Sequence, residues 1–589
     1  MDRENNQTTL TYNSSSRLIS ITDPFGRVLT VTPDTSGRIS SLRDTLATVA
    51  TYTYGSSGEL LSVTYPDNSA FHFAYTTANG NLVLATVTDA LGNILETHNY
   101  DSLGRAITSE KQGGVERYTL SFVSNTETDA TDALGHVTKY FFDGSKGRNL
   151  VTSVQGLCNC GGGSQTQSWT YDNQLNMTGH TNALGQTASY IYDGSGNQLS
   201  ATGVLGTSSF TYNQFGEVLT ATDAMGGITT NSYDGFGNLL SVTDALNNVT
   251  AFTYDARGQL LTMTNARGNT TTLTWDTSGR LTQTKDALNN LTAFVYDARA
   301  RLTKATDALN NATSFAYDAA NRLIKITRAD SSIISYTYDL AGRRTKITDP
   351  LRNVTTFAYD GAYRLASETD ALGKSVSYTY DSMSNLTGAT DQLGRTTNIE
   401  YDEFNRPKTT IYPAAVAGAT RLQETIEYDA AGNVTKRTDT AGRVSSFEYD
   451  NANRLMRSTD PALQITQYEY DARSNVTALV DALNQRYEFE YDALSRVTST
   501  TRAGLQMSFA YDAVGNLAQR TDYNNATTAY TYDALNRRTK ITYPDATTAI
   551  YAYDKLSRLT TATNANGSVG FVYDQMGRVT STTDVWAQA

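Results

Sequence analysis

Aspartate-led turns recur every ten or eleven residues along this chain, and that interval accommodates little except short β-strands joined by tight hairpins. Aligned on the aromatic residue before the aspartate, the series runs Tyr171, Tyr192, Tyr212, Tyr233, Tyr254, Trp275, Tyr296, Tyr317, Tyr338, Tyr359, Tyr380 and Tyr401. An insertion around Pro413-Ala414-Ala415 interrupts it, and it resumes at Tyr428, Tyr449, Tyr470, Tyr491, Tyr511, Tyr532, Tyr553 and Tyr573. Weaker members precede it at Tyr12, Pro33, Tyr54, Tyr75, Tyr100 and Phe142. The array amounts to about 27 units and some 54 strands.

Each unit carries two turns of one kind. The first is Tyr-Asp-x-x-Gly, as in Tyr254-Asp255-Ala256-Arg257-Gly258 and Tyr511-Asp512-Ala513-Val514-Gly515. The second is Thr-Asp-x-x-Gly, as in Thr369-Asp370-Ala371-Leu372-Gly373. An aspartate that opens a turn can accept the backbone N–H two residues on, and three residues later the chain needs a left-handed residue. Glycine supplies that without steric cost, with asparagine its usual substitute, as at Asn247, Asn289, Asn310, Asn321, Asn405, Asn453 and Asn536. A catalytic or metal-binding glycine would not exchange with asparagine so freely. Ala300 and Tyr363 break the rule, and local distortion is expected there. The structural turn residues are thus Asp255, Gly258, Asp370, Gly373, Asp512 and Gly515. Four residues per turn leave six or seven for each strand.

The strands alternate with period two. Pairs such as Phe252/Tyr254, Phe357/Tyr359 and Tyr378/Tyr380 fall on one face, and Glu400, Glu427, Glu448, Glu469 and Glu490 on the other. Stacked units should place Tyr254, Tyr296, Tyr317, Tyr338, Tyr359 and Tyr380 in an aromatic ladder, worth about 0.5–1.5 kcal/mol per ring pair. The tyrosine face is expected to point inward, and each unit to contact only its neighbours.

Composition narrows the function. The net charge of −12 lacks the basic stripe that nucleic acid requires. No apolar run reaches a membrane span. Four histidines are scattered outside any Ser-His or Cys-His arrangement, and neither a phosphate loop nor a Gly-x-Ser-x-Gly elbow occurs, so no catalytic, cofactor or metal residue is assigned. The turn aspartates need no calcium, because the turn itself explains them. Cys158-Asn159-Cys160-Gly161-Gly162-Gly163 sits in an over-long unit; an insertion loop explains it best, with a local disulfide or a metal site as alternatives.

The pattern Tyr-Asp-x-x-Gly-Arg/Asn-Leu followed by Thr-Asp-x-x-Gly resembles the YD repeats of the Rhs family, shared by bacterial Rhs toxins, shell components of insecticidal Tc complexes and the teneurins. The resemblance covers nearly the whole chain. It implies an all-β array of ~21-residue hairpins wound as a spiral β-solenoid into an open shell or tube, which in the toxins encloses a cytotoxic domain. Asp23-Pro24-Phe25-Gly26 is read as a turn variant and not as the toxins' core motif. Three stretches are distinguished in one continuous array: degenerate repeats over 1–170 with the cysteine insertion, regular repeats over 171–411, and repeats resuming over 412–589. The resemblance favours a non-catalytic wall around a polypeptide cargo. An extracellular scaffold or adhesin binding carbohydrate, or other copies of itself, is the alternative. The N-terminus has no signal-like apolar stretch, and the pattern is already under way at Tyr12 and still running at Thr583-Asp584, so the chain is expected to be part of a longer secreted or cell-surface protein.

Overall fold

In the computed structural model, which describes residues 2–156, 166–416 and 418–586, the chain forms one sheet of 54 antiparallel strands. Each strand pairs with the strand before it and the strand after it. The only helical element among the described residues is a 3₁₀ turn, Gln112–Gly114. The cysteine insertion lies outside the described residues.

Strands of five and six residues alternate, as in Leu239–Thr243, Val249–Tyr254, Leu260–Thr264 and Thr270–Trp275. They are shorter than the spacing predicts because each turn takes five residues. Asp255 N–H donates to the Gln259 carbonyl at 2.9 Å, and Gly258 N–H returns to the Asp255 carbonyl at 3.1 Å. The two hairpin types differ beyond the turn. Tyr254 pairs with Leu260 but Thr253 with Thr262, so one residue bulges opposite every such tyrosine. In the Thr-Asp hairpin Val242 pairs with Thr250 and Thr243 with Val249 without a break. A bulge repeated at one end of the ribbon bends the sheet in a constant sense.

One unit escapes the sequence pattern. Val115–Ser124 and Glu127–Thr131 form a hairpin between Tyr100 and Phe142, where no Tyr-Asp pair marks it. Phe122 takes the tyrosine place, with the Arg105 guanidinium 4.1 Å from its ring centre. The distortion expected at Ala300 and Tyr363 does not occur. Both adopt the left-handed conformation, at φ 61° and 70°, and close their turns with hydrogen bonds of 3.0 and 3.1 Å like their neighbours. Neither side chain is β-branched, so φ > 0 is strained but accessible.

No thick core lies behind the sheet. The accessible surface is 32235 Å², whereas a compact globule of this mass would expose about 20,000 Å². No large side chain among the described residues is fully buried. The molecule is a wall one sheet thick, with the aromatic face the less exposed: Val249–Tyr254 alternates exposed and half-buried, the half-buried set being Thr250, Phe252 and Tyr254.

The wall closes on itself. Arg299 Nε meets Asp44 Oδ2 at 2.7 Å, Arg322 meets Asp67 at 2.8 Å, and Arg473 Nε meets Asp223 at 2.7 Å. Each pair joins turns 23 strands apart. At ~4.8 Å per strand, the ribbon of roughly 260 Å therefore makes a little more than two coils, each roughly 110 Å around. The expectation that units touch only their chain neighbours fails here, because every coil also rests on the next.

Candidate functional site

The chemistry of this chain is concentrated at its turns. Asp255 Oδ1 accepts the amides of Arg257 at 2.8 Å and Gln259 at 2.9 Å. Asp370 does the same for Leu372 and Lys374, both at 2.9 Å, and Asp512 for Val514 at 3.1 Å and Asn516 at 2.8 Å. Gly258, Gly373 and Gly515 have φ of 76°, 74° and 92°. At Asp370 the amide of Lys374 is the largest influence and holds the carboxyl below the usual carboxylate range. At Asp297 partial burial pulls the carboxyl upward, but the Arg301 amide and guanidinium and the Arg299 amide outweigh it, and the net direction is down.

The residue after the left-handed position has a role the repeat pattern does not announce. Arg301 Nε donates to Asp297 Oδ2 at 2.7 Å within its own turn. Its Nη1 reaches the Asp318 carbonyl of the next Tyr-Asp turn at 3.1 Å, and the guanidinium lies 5.0 Å from the Tyr317 ring centre. Arg280, Arg322, Arg343, Arg364, Arg454 and Arg537 repeat this set of contacts. A planar fork of five donors suits that task, which a lysine could not perform. Where asparagine replaces arginine, it bridges turns by amide instead, as Asn385 does to Asn405 at 2.7 Å.

This changes the aromatic ladder. Tyr296, Tyr317, Tyr338, Tyr359 and Tyr380 follow one another at every second strand, about 9.6 Å apart, too far for rings that stack at ~4.5–7 Å, and Tyr254 stands four strands from Tyr296 with Trp275 between them. Among the described residues the ring pairs in contact are Tyr65–Phe71 and Trp169–His180. An arginine fills each gap from Tyr296 onward, with Arg280, Arg301, Arg322, Arg343 and Arg364 at 4.8–5.6 Å from the ring centres. Tyr254 has Asn238 at that place and no such cation. Four of the six hydroxyls donate to the wall itself, for example Tyr317 to the Leu302 carbonyl at 2.9 Å.

Between coils the two ribbon edges are complementary. Tyr-Asp turns of one coil sit on Thr-Asp turns of the coil before. Ala319, Ala320, Leu340 and Ala341 face Leu42, Ala50, Tyr65 and Phe71 across a cleft. Tyr363 donates its hydroxyl to Asp89, and burial together with that carboxylate raises the phenol well above its usual range. The Arg473 guanidinium conversely holds Asp223 low. Arg267 donates to the carbonyls of Tyr532 and Asp533 at 3.1 and 3.2 Å.

With the wall described, its relatives can be placed. The teneurin YD-shell family matches residues 146–333, and the RHS repeat matches seven times between 317 and 585. The chain belongs to the RHS/YD-repeat family. No curated protein matches its full sequence significantly. This YD-repeat chain superposes on the crystal structure of TcdB2-TccC3 with a TM-score of 0.58 at 15% identity, covering 99% of itself and 40% of that chain. A TcdB2-TccC3 structure without its hypervariable C-terminal region gives 0.57 at 14%, covering 99% and 42%. The Photorhabdus luminescens Tc holotoxin pore gives 0.52 at 14%, covering 95% and 35%. At this identity the likeness establishes the fold, a spiral β-shell. The YD-repeat chain spans about two-fifths of the length of those structures.

Proposed function

We propose that this chain is a non-catalytic wall that encloses a polypeptide. The three stretches 1–170, 171–411 and 412–589 act as one array in this reading, within a longer protein that is secreted or displayed at the cell surface. The supporting observation is the ribbon's return upon itself. A sheet one layer thick, with far more surface than a globule of its mass, rests coil on coil through Arg299–Asp44, Arg322–Asp67 and Arg473–Asp223. A coil roughly 110 Å around leaves room inside for an extended or partly folded chain. The family match and the likeness to Tc toxin structures support the same reading.

The carbohydrate-binding alternative has less support. Sugar platforms need accessible aromatic faces, whereas the rings of Tyr317, Tyr338, Tyr359 and Tyr380 are half-buried, covered by arginines and tied to backbone carbonyls. A disordered reporter polypeptide fused after Ala589 tests encapsulation. Proteolysis of the reporter is expected to slow at least tenfold relative to the free reporter. Equal rates would remove the cargo reading while leaving the wall intact.

A further inference from the structure

Part of the seam between coils is made of residues that every unit repeats, and those residues cannot fix its register. A slip of one unit, two strands or roughly 9.6 Å along the ribbon, would set an equivalent turn in each place. The Arg322–Asp67 pair would survive such a slip, because Arg301 and Arg343 hold the same place one unit to either side. The alanine seats would survive it too, since Ala320 and Ala341 are themselves one unit apart.

Other contacts would not survive. Arg299 meets Asp44 and Arg473 meets Asp223, each at 2.7 Å. A slip would present Ser278 or Ala320 to the first carboxylate and Ala452 or Leu494 to the second. Tyr363 donates to Asp89, where Gly342 or Ser384 would take its place. The Glu116 amide donates to the Ser382 carbonyl at 2.7 Å, and no other backbone-to-backbone hydrogen bond joins the coils among the described residues. The Glu116 carboxylate accepts the Ser384 hydroxyl at 2.8 Å.

Several of these residues also break the repeat. Among the described residues Tyr363 is the only aromatic residue with positive φ and Glu116 the only acidic one, at 70° and 51°. Their own turns give no reason for such side chains there. Asp44 opens a turn one residue short, closed by its amide on the Ala47 carbonyl at 3.0 Å. Gly361 is not left-handed, but a Cβ on it would lie 2.7 Å from Gln112 Oε1, in the 3₁₀ turn of the coil below. Departures from the pattern in one coil thus face departures in the other.

We propose that Asp44–Arg299, Asp89–Tyr363, Glu116 with Ser382 and Ser384, and Asp223–Arg473 form a register key. Curvature brings the coils together, and the key selects one stacking from its neighbours one unit away. Polar contacts can decide register even where they add little stability. The key thereby sets the bore of the shell, since one unit more or less changes a circumference of roughly 110 Å by roughly 9.6 Å. The proposal rests on the coil contacts and is independent of what the wall encloses.

The full chain tests it, with Cys158→Ser and Cys160→Ser so that only introduced cysteines report. Asp223→Cys with Arg473→Cys, joined by a short bis-maleimide, reads the native register. Asp223→Cys with Ala452→Cys, or with Leu494→Cys, reads a slip of one unit. This reporter removes one pair of the key and leaves the rest. The native link is expected to form about tenfold faster than either other. Adding Arg299→Ala, Tyr363→Asn and Glu116→Asn should bring the three rates within about threefold of one another, with circular dichroism unchanged. Arg322→Asn removes a repeated contact and should leave the preference as it was. A preference that outlasts loss of the key, or that Arg322→Asn abolishes equally, overturns the proposal. If the triple variant does not fold, Tyr363→Asn and Arg299→Ala are tested singly, and a preference unmoved by both overturns it.

Discussion

Arg301 ties its own turn, the next turn and the ring between them, so its loss should exceed that of an ordinary surface ion pair. Exposed pairs contribute about 0–1 kcal/mol. Here both partners are three-quarters covered, at 23% and 24% exposure, and the guanidinium adds a carbonyl bond and a ring contact. Arg301→Lys keeps the charge but loses the fork, and is expected to cost about 1–2 kcal/mol. Hydrogen exchange over residues 297–321 reads this, and a lysine variant indistinguishable from the parent would mean that only charge matters. A second comparison concerns Asp512 and Gly515. Read from sequence, the glycine ranks first, because the carboxylate is credited with one turn bond. The structure gives Asp512 three hydrogen bonds, to the Val514 and Asn516 amides and the Asn516 side chain, with Arg267 nearby at 3.6 Å. The nearest atom outside its immediate chain neighbours, Arg496 Nη1, lies 3.8 Å from a Cβ built on Gly515, an ordinary contact. Serine, alanine, leucine and arginine occupy the equivalent place at Ser495, Ala300, Leu463 and Arg352. Gly515→Asn should therefore be near neutral, Gly515→Val should cost about 1–3 kcal/mol, and Asp512→Ala about as much. Chemical denaturation of the three variants ranks them, and an Asp512→Ala variant as stable as Gly515→Asn would refute this order.

At the scale of the hairpin, the carboxylates set the pH range. Asp297, Asp450 and Asp492 feel burial first, which raises them, but the amides and guanidinium of their own turns prevail and leave each below its ordinary value. A folded-state pKa below the unfolded one means that stability is fully present above the unfolded value, about 3.9 for aspartate, and is lost as pH falls through the folded value. Turn amides such as Arg299 and Ala452 should therefore keep constant protection from pH 7 to about 4.5, after correction for intrinsic exchange, and lose it only under more acid conditions. A loss between pH 7 and 5 would show that other groups govern the hairpins. Much of the hairpin was legible in the residues. The Asp-to-Gly interval located the turns, and the two-residue aromatic period located the half-buried face. The bulge opposite each tyrosine was not legible, since an extra residue in a strand leaves no mark on composition. The hairpin over 115–131 was missed because Phe122 replaces the tyrosine and no aspartate follows it. The arginine clasp was visible as a recurrent Arg after glycine, but its partner lies in the next unit, and spacing along the chain does not show which carbonyl a side chain reaches.

The molecule as a whole is a two-dimensional lattice, with neighbours along the ribbon and across coils, and no sequence period reports the second direction. The contact distance of about 250 residues is set by curvature, which accumulates from small bends at each bulge. A one-dimensional array would confine any lesion to adjoining repeats. Arg267 separates the two pictures. Its guanidinium donates to the carbonyls of Tyr532 and Asp533 and to Asn536 Oδ1 at 3.1 Å, while only its backbone helps form its own turn. Arg267→Ala removes these charge-assisted bonds and is expected to cost about 1–3 kcal/mol at the contact. Hydrogen exchange should then accelerate about tenfold around residues 262–270 and also around 530–538, since each 1.4 kcal/mol is tenfold. Repeats over 340–480, which Arg267 does not touch, should keep their protection. Acceleration restricted to 262–270 would mean that the coils are held by curvature alone and that their edge contacts carry no stability. Acceleration everywhere would mean that the wall opens as one cooperative body. The two-site response alone matches a shell whose coils brace one another turn by turn.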